Sequence, residues 1–418
     1  MTHGTHSTSV KQMTETAFAP ETDLAEFSLE CPPPGFVADP FPWYAALTRR
    51  RPVHRLNDGS WLLTRHADCD AVYHGHAFSS DKRDFFRPKF GASPLYEHHT
   101  TSLVFNDPPY HTRVRETLVK ALKPKNIQHA VAALERFVDE RIANLRERGE
   151  FDAIEHFAAA VPVEIICILL SVPRSERASL RSWSLAILGA LEPAISAEQA
   201  RTGNRAVREF MAWLRDLIAW RRRHPAAERH NVLSSLIEQS DGGGLSEAEL
   251  LHNCIFLLNA GHETTTNLIG NGIHMLTKNG DARRRLRGHP GSIRLAVEEI
   301  LRYQSPVQLG NRQATAPVTI GGHEFRPGDQ VTLCIGAANR DPRAFANPET
   351  LDIGRTPNPH LAFASGIHQC AGMSLARIEG RIALGAFFEA FDAPEIRVEP
   401  EYHPRLRFRG LKTLEMRV

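Results

Sequence analysis

Cys370 lies between Gly366 and Gly372, and Met373, Leu375, Ala376 and Ile378 begin an apolar helical pattern directly after it. A thiol at the mouth of a helix feels its partial positive charge and free N–H groups, which favour the thiolate, the form that binds metals. Phe363 supplies an aromatic wall just ahead of the sulfur. Read alone, such a residue is an ordinary free cysteine beside a turn. A second conspicuous group, Ala260-Gly261-His262-Glu263-Thr264-Thr265-Thr266, falls mid-way along a long helical pattern. Glycine and threonine are poor interior helix formers, and such a conflict often marks function. The Thr264 hydroxyl can bond the Ala260 carbonyl one turn back and bend the helix. Ala260 and Gly261 leave space against a flat group. His111 and Arg115, at i and i+4, share one face of a helix that also carries Arg113, Lys120 and Lys123. The plain alternative is a solvated basic surface. Glu299 and Arg302, at i and i+3, read alone as a surface ion pair worth a few tenths of a kcal/mol.

The pattern F-x-x-G-x-H-x-C-x-G, filled by Phe363, Gly366, His368, Cys370 and Gly372, resembles the haem-binding loop of the cytochrome P-450 family. The block from Ala260 to Thr265 resembles its oxygen-binding segment, His111 and Arg115 its H-x-x-x-R, and Glu299 and Arg302 its E-x-x-R. The resemblance runs from about Asp39 to the C-terminus with the motifs in order. It implies that Cys370 is the axial thiolate of haem iron, which favours O–O cleavage. It implies that His111, Arg115, Arg312 and His368 hold the haem propionates. It gives Glu263 and Thr264 the delivery of protons to bound dioxygen. It makes Glu299, Arg302 and Arg355 a buried structural triad. One position departs: many bacterial members have glycine after the phenylalanine, where this chain has Ala364. If that site needs a positive φ, alanine costs about 1 kcal/mol there.

These residues need a scaffold. With 418 residues, length alone suggests two or three domains; 42% apolar and 23% charged residues suit an ordinary globular chain. A net charge of +2 makes no case for nucleic acid. No apolar run approaches the ~20 residues that span a bilayer, and no signal pattern opens the chain. Six scattered cysteines without a C-x-x-C pair suggest a reducing compartment, so a cytoplasmic location is expected.

Along the chain, residues 1–30 read as a mobile polar tail. Asn57-Asp58-Gly59 marks a hairpin, followed by a short helix near His66 to His74. Residues 79–105 show no period and read as a long loop rich in aromatics. Asp107 is expected to cap the basic helix, with Pro108 at its first position. Ser175 precedes another helix. Ser196 with Gln199, and Ser246 with Glu249, form capping boxes for two more. The second of these helices runs towards Lys278 and Gly280. Short β patterns surround the turn Arg326-Pro327-Gly328-Asp329.

The resemblance implies a mainly α fold of the cytochrome P-450 type, residues 31–418 forming one domain with small sheets and haem b inside. The expected reaction inserts one atom of O2 into an apolar small molecule. The substrate pocket is expected to involve Phe85, Phe86, Phe90, Leu188, Asn259, Val307 and Leu309. No flavin or iron–sulfur region follows Cys370, so electrons are expected from a ferredoxin and its reductase, docking on Arg113, Lys120, Lys123 and Lys125. A monomer is expected. Two alternatives stay open: a peroxide-driven peroxygenase, and a haem protein that only binds ligand.

Overall fold

The computed structural model describes residues 24, 26–170, 172, 177–192, 195–224 and 231–418. Ser175, Pro193 and Pro225 lie outside them, as do the side chains of Pro124, Lys125 and Ala178. Helices dominate. The first, α1 (Phe41–Arg50), follows Pro40 and stops before Pro52. The hairpin pairs β1 (Val53–Arg55) with β2 (Trp61–Leu63) across the Asn-Asp-Gly turn, and α2 (His66–His74) follows. A short β3 (Phe78–Ser79) leads into the stretch read as loop, which instead holds α3 (Arg83–Phe90) and α4 (Pro94–Thr101). Both helices are too short to show a clear period. Ser93 caps α4 and Pro94 occupies its first turn, a start signal that the surrounding aromatics obscured.

Next come α5 (Tyr110–Ala121) and α6 (Pro124–Arg148). Asp107 does not cap α5 with its side chain. That carboxylate accepts from the Ser80 N–H at 2.8 Å and the Ser79 hydroxyl at 2.5 Å, tying β3 to the helix entrance. After β4 (Glu150–Asp152), the chain forms α7 (Ala160–Leu169), α8 (Ala178–Gly189) and α9 (Ala197–Arg223). Then α10 (Val232–Asp241) precedes the long α11 (Glu247–Lys278). Both expected capping boxes form, at Ser196/Gln199 and Ser246/Glu249. The helices α12 (Gly280–Gly288) and α13 (Ile293–Tyr303) complete this half.

A five-stranded sheet, ordered β1-β2-β8 (Gln330–Cys334)-β5 (Leu309–Ala314)-β3, flanks the helices. Its outer members come from the hairpin and β3; its centre comes from β5 and β8. Between those strands, β6 (Val318–Ile320) and β7 (His323–Phe325) form their own ladder. One turn of helix, α14 (Ile335–Ala338), follows, and α15 (Met373–Ala390) starts three residues after Cys370. A three-stranded sheet joins β4 to β9 (Glu395–Ile396) and β10 (Glu415–Arg417).

The long α11 runs through the main core, packing on α7, α8 and α15. A smaller cluster around Leu47 and Leu62 recruits Leu24, Phe27 and Leu29, all buried. The stretch from Leu24 is therefore anchored by apolar side chains, where the sequence suggested a polar tail to residue 30. Among the described residues no helix is long and apolar enough to cross a membrane.

Candidate active site

Cys370 sits on a loop held from below. Its N–H donates to the Phe363 carbonyl at 2.9 Å, closing the loop on itself. Gly366, at φ +67°, lets the loop lie against the Tyr73 carbonyl of α2, where a Cβ would collide with that oxygen. Ala364 has φ 55°, so the departing position does need the left-handed conformation and alanine occupies it under strain. Cys370 has exposed area because it borders an internal cavity, although protein atoms surround it. Burial therefore pushes its thiol up; the Gly372 amide and then Arg115 pull it back only partly. The protein alone does not make the thiolate that the helix mouth suggested. A bound cation would, since a coordinating thiol is deprotonated outright.

The cavity has α11 on one wall and the Cys370 loop on another. Ala260, Gly261 and Thr264 line it, as do Phe363, Cys370 and Gly372. The Thr264 hydroxyl donates to the Ala260 carbonyl at 2.7 Å, the back-bond its position suggested. Gly261 has a packing reason too: a Cβ there would come within 2.9 Å of Ile166 on α7. Glu263 does not line the cavity. It is buried and ion-paired with Arg405 of the C-terminal segment.

One edge of the cavity is cationic. His111 and Arg115 from α5, Arg312 from β5 and His368 from the loop all line it. The His111 and His368 rings are 4.0 Å apart. Both nitrogens of His111 and Nδ1 of His368 are buried without hydrogen bonds, and the Arg115 side chain has no hydrogen-bond partner among the described residues. Arg312 bonds only the Asn311 carbonyl and lies 5.1 Å above the Tyr73 ring. Burial, with Arg115 beside it, pushes His111 down to about 4; burial, Arg312 and His111 push His368 down to about 2. Two guanidinium groups and two orphaned imidazoles meet here. Burial pushes Glu379, the one carboxylate lining the cavity among the described residues, well up from the usual carboxylate range. The donor set fits a flat anionic ligand with carboxylates at this edge and a metal above Cys370.

Beneath the site, Glu299 and Arg302 are fully buried, not a surface pair. Glu299 accepts from Arg302 at 2.8 Å through both oxygens, from Arg355 at 3.1 Å and from the Asp352 N–H at 2.8 Å. Arg302 also donates to the carbonyls of Asn339, Pro348 and Thr350. The network pins the segment that leads into the cysteine loop. Sequence reading missed a second brace: Arg377 bonds Glu298 at 2.7 Å and stacks 4.6 Å from the Phe363 ring. Although burial favours its acid form, hydrogen bonds from His360 and Arg377 hold Glu298 down at about 2.

The expected substrate residues divide. Leu188, Asn259, Val307 and Leu309 line the cavity. Phe85, Phe86 and Phe90 do not; Phe85 is 51% exposed, and Phe86 and Phe90 pack behind the wall on His99. The wall itself is made by His98, His99, Leu103 and Phe105. The Ser93 cap and Pro94 mark where α4 starts, but no signal in the sequence says that α4, not α3, faces inward.

A cavity with a cysteine on its floor and a cationic edge defines a protein built around a large, flat, anionic cofactor. A family model described as Cytochrome P450 matches residues 67–288 and 293–408, and the chain belongs to that family. It is 36% identical over 367 residues to a vitamin D(3) 25-hydroxylase of Pseudonocardia autotrophica, covering 86% of this chain and 88% of the relative. It is 31% identical to the 6-deoxyerythronolide B hydroxylase of Saccharopolyspora erythraea, covering 90% and 96%. Among solved structures, P450BioI in complex with a hexadec-9Z-enoic acid-ligated acyl carrier protein matches with a TM-score of 0.86 at 30% identity. That match covers 92% of this chain and 99% of the other. The protein is therefore a haem-dependent oxidoreductase of the cytochrome P450 monooxygenase kind.

Proposed function

We propose that the chain binds haem b with Cys370 as axial thiolate and hydroxylates an apolar small molecule, using electrons from an external ferredoxin and its reductase. The observation that carries this reading is the placement of Cys370 on the cavity floor beside the cationic edge of His111, Arg115, Arg312 and His368. When bound, the thiolate-ligated haem would supply oxygen activation. The remaining work belongs to the chain. Arg115 and Arg312 would hold the cofactor's carboxylates, and His111 and His368 would donate to them. Thr264 presents a hydroxyl to the cavity from the middle of α11, where it can hold a water or pass a proton. Glu263, just behind it, can resupply that proton once its tie to Arg405 loosens. Leu188, Val307 and Leu309 exclude water and orient an apolar skeleton.

Arg113 is already engaged by Glu249 at 3.1 Å and by the Gly244 carbonyl at 2.7 Å. Lys120 and Lys123 are exposed and remain as candidates for an acidic partner. Six free cysteines agree with a reducing, cytoplasmic setting. The test is the absorption spectrum of the reduced protein with carbon monoxide. A red-shifted thiolate-type Soret band that vanishes in Cys370→Ala supports the reading. An imidazole-type band unchanged by the substitution defeats it. Turnover with NAD(P)H and redox partners, against turnover with peroxide, separates the monooxygenase from a peroxygenase.

A further inference from the structure

Three polar side chains in the cavity wall have no part in that reaction. His98 and His99 stand side by side on α4, each 2% exposed, and both line the cavity. Neither imidazole has a hydrogen bond among the described residues; Nδ1 of His98 and Nε2 of His99 are fully buried and unpartnered. Asn259 on α11 lines the same cavity with both amide atoms buried and unpartnered. Buried polar groups ordinarily find partners. Three orphans on one cavity point to a ligand that completes them.

The surroundings narrow its chemistry. Ring packing fixes both imidazoles in place: His98 lies 5.6 Å from His252, and His99 lies 5.4 Å from Phe86 and 5.8 Å from Phe105. Burial, with His99 beside it, pushes His98 well down, and burial with Lys89 pushes His99 down to about 3. Both rings are thus neutral near pH 7, each with one N–H donor and one acceptor nitrogen. Leu103, Val104, Phe256 and Leu257 make the adjoining wall apolar. Neutral donors in such a wall suit a hydroxyl or keto group better than a carboxylate, because the one ammonium beside His99, that of Lys89, already donates to the Glu192 carbonyl.

Position narrows its shape. The His98 ring packs against His252, and His252 shares α11 with Thr264. At 1.5 Å per residue those two levels are roughly 18 Å apart along the helix. A ligand reaching from Thr264 to His98 is long.

We propose that His98 and His99 are the remote anchor of the substrate, and that the substrate is an elongated apolar molecule with an uncharged hydroxyl or keto oxygen at the end away from the oxidised carbon. Asn259 supplies a contact along the way. The proposal rests on the monooxygenase reading for the direction in which the ligand lies.

The test is calorimetry on the haem-loaded protein with dodecane, 1-dodecanol and dodecanoic acid, each presented from the same cyclodextrin solution. The wild type is expected to bind the alcohol about tenfold more tightly than the alkane. The H98L/H99L variant is expected to lose that preference and keep its affinity for dodecane. H99N, which retains a donor, is expected to keep part of the preference and decides the matter if the double variant does not fold. Three results overturn the anchor: an alcohol preference that survives in H98L/H99L or, should that variant not fold, is undiminished in H99N; tighter binding of the acid than of the alcohol; or no binding of any probe. A missing thiolate-type carbon monoxide spectrum would instead overturn the haem–thiolate reading, since calorimetry does not depend on it.

Discussion

Glu263 is ion-paired with Arg405, while its neighbour Thr264 faces the cavity. The acid and the alcohol thus look in different directions from one helix. Burial pushes the Glu263 carboxyl up and Arg405 pulls it down, and Oε2 stays without a partner. Removing Arg405 leaves a buried charge uncompensated. R405M is expected to lose about 2 kcal/mol in chemical denaturation at pH 8. Because the folded pKa of Glu263 is raised, the loss shrinks as pH falls and the acid protonates. E263Q/R405M recovers most of it. An R405M loss that is equal at pH 8 and pH 5 would show that the charge is not its cause.

Ala364, at φ 55°, carries strain that glycine would not. A364G is expected to gain about 0.5–1 kcal/mol in denaturant midpoint analysis, with the carbon monoxide spectrum unchanged. Gly366 is the opposite case. Its positive φ comes with the Tyr73 carbonyl at the site of a Cβ, so G366A is expected to lower haem content as well as stability.

Glu299 accepts hydrogen bonds from Arg302, Arg355, Asn358 and the Asp352 amide in a fully buried site. E299Q leaves two guanidinium groups without their counter-charge. An expected cost of about 3–5 kcal/mol follows, read as a lost unfolding transition or as apoprotein after expression. Near-native stability in E299Q would contradict a structural role for the triad.

Arg312 offers the cavity edge a guanidinium that no carboxylate among the described residues neutralises through an ion pair. R312L is expected to weaken haem binding about 10-fold to 100-fold, the worth of a charge-assisted hydrogen bond. Transfer of haem to apomyoglobin would measure it, and equal transfer rates would remove Arg312 from the cofactor site.

What the sequence made legible was whatever repeats locally. Capping boxes at Ser196 and Ser246 and the Asn-Asp-Gly hairpin are short-range signals, and all three form. The Thr264 back-bond is equally local. Tertiary choices were hidden. Nothing near Glu263 in sequence announces Arg405, which lies in the last segment of the chain. The wall of the cavity was misassigned because α3 carries the aromatics and α4 carries two histidines; apolarity pointed to α3, whereas packing turned α4 inward. Leu24, Phe27 and Leu29 sit in a polar stretch too sparse in apolar residues to suggest the burial they achieve.

His274, far from the cysteine loop on α11, gives the acid limb of the stability profile a testable source. Both its ring nitrogens are buried without hydrogen bonds. Burial and then Lys278 push its imidazole down to about 4, and the Glu399 carboxylate opposes them only in part. The unfolded chain takes up the proton near pH 6.5, and the folded chain only near pH 4. Between those values the unfolded state binds more protons, so stability falls as the pH is lowered. By pH 5 this one residue accounts for about 1–2 kcal/mol. His274→Leu, which removes the titration and keeps an apolar side chain, is expected to flatten the stability curve between pH 7 and pH 5 by that amount. Urea denaturation at pH 7, 6 and 5 measures it, and parallel curves for the two proteins would mean that His274 is already satisfied in solution.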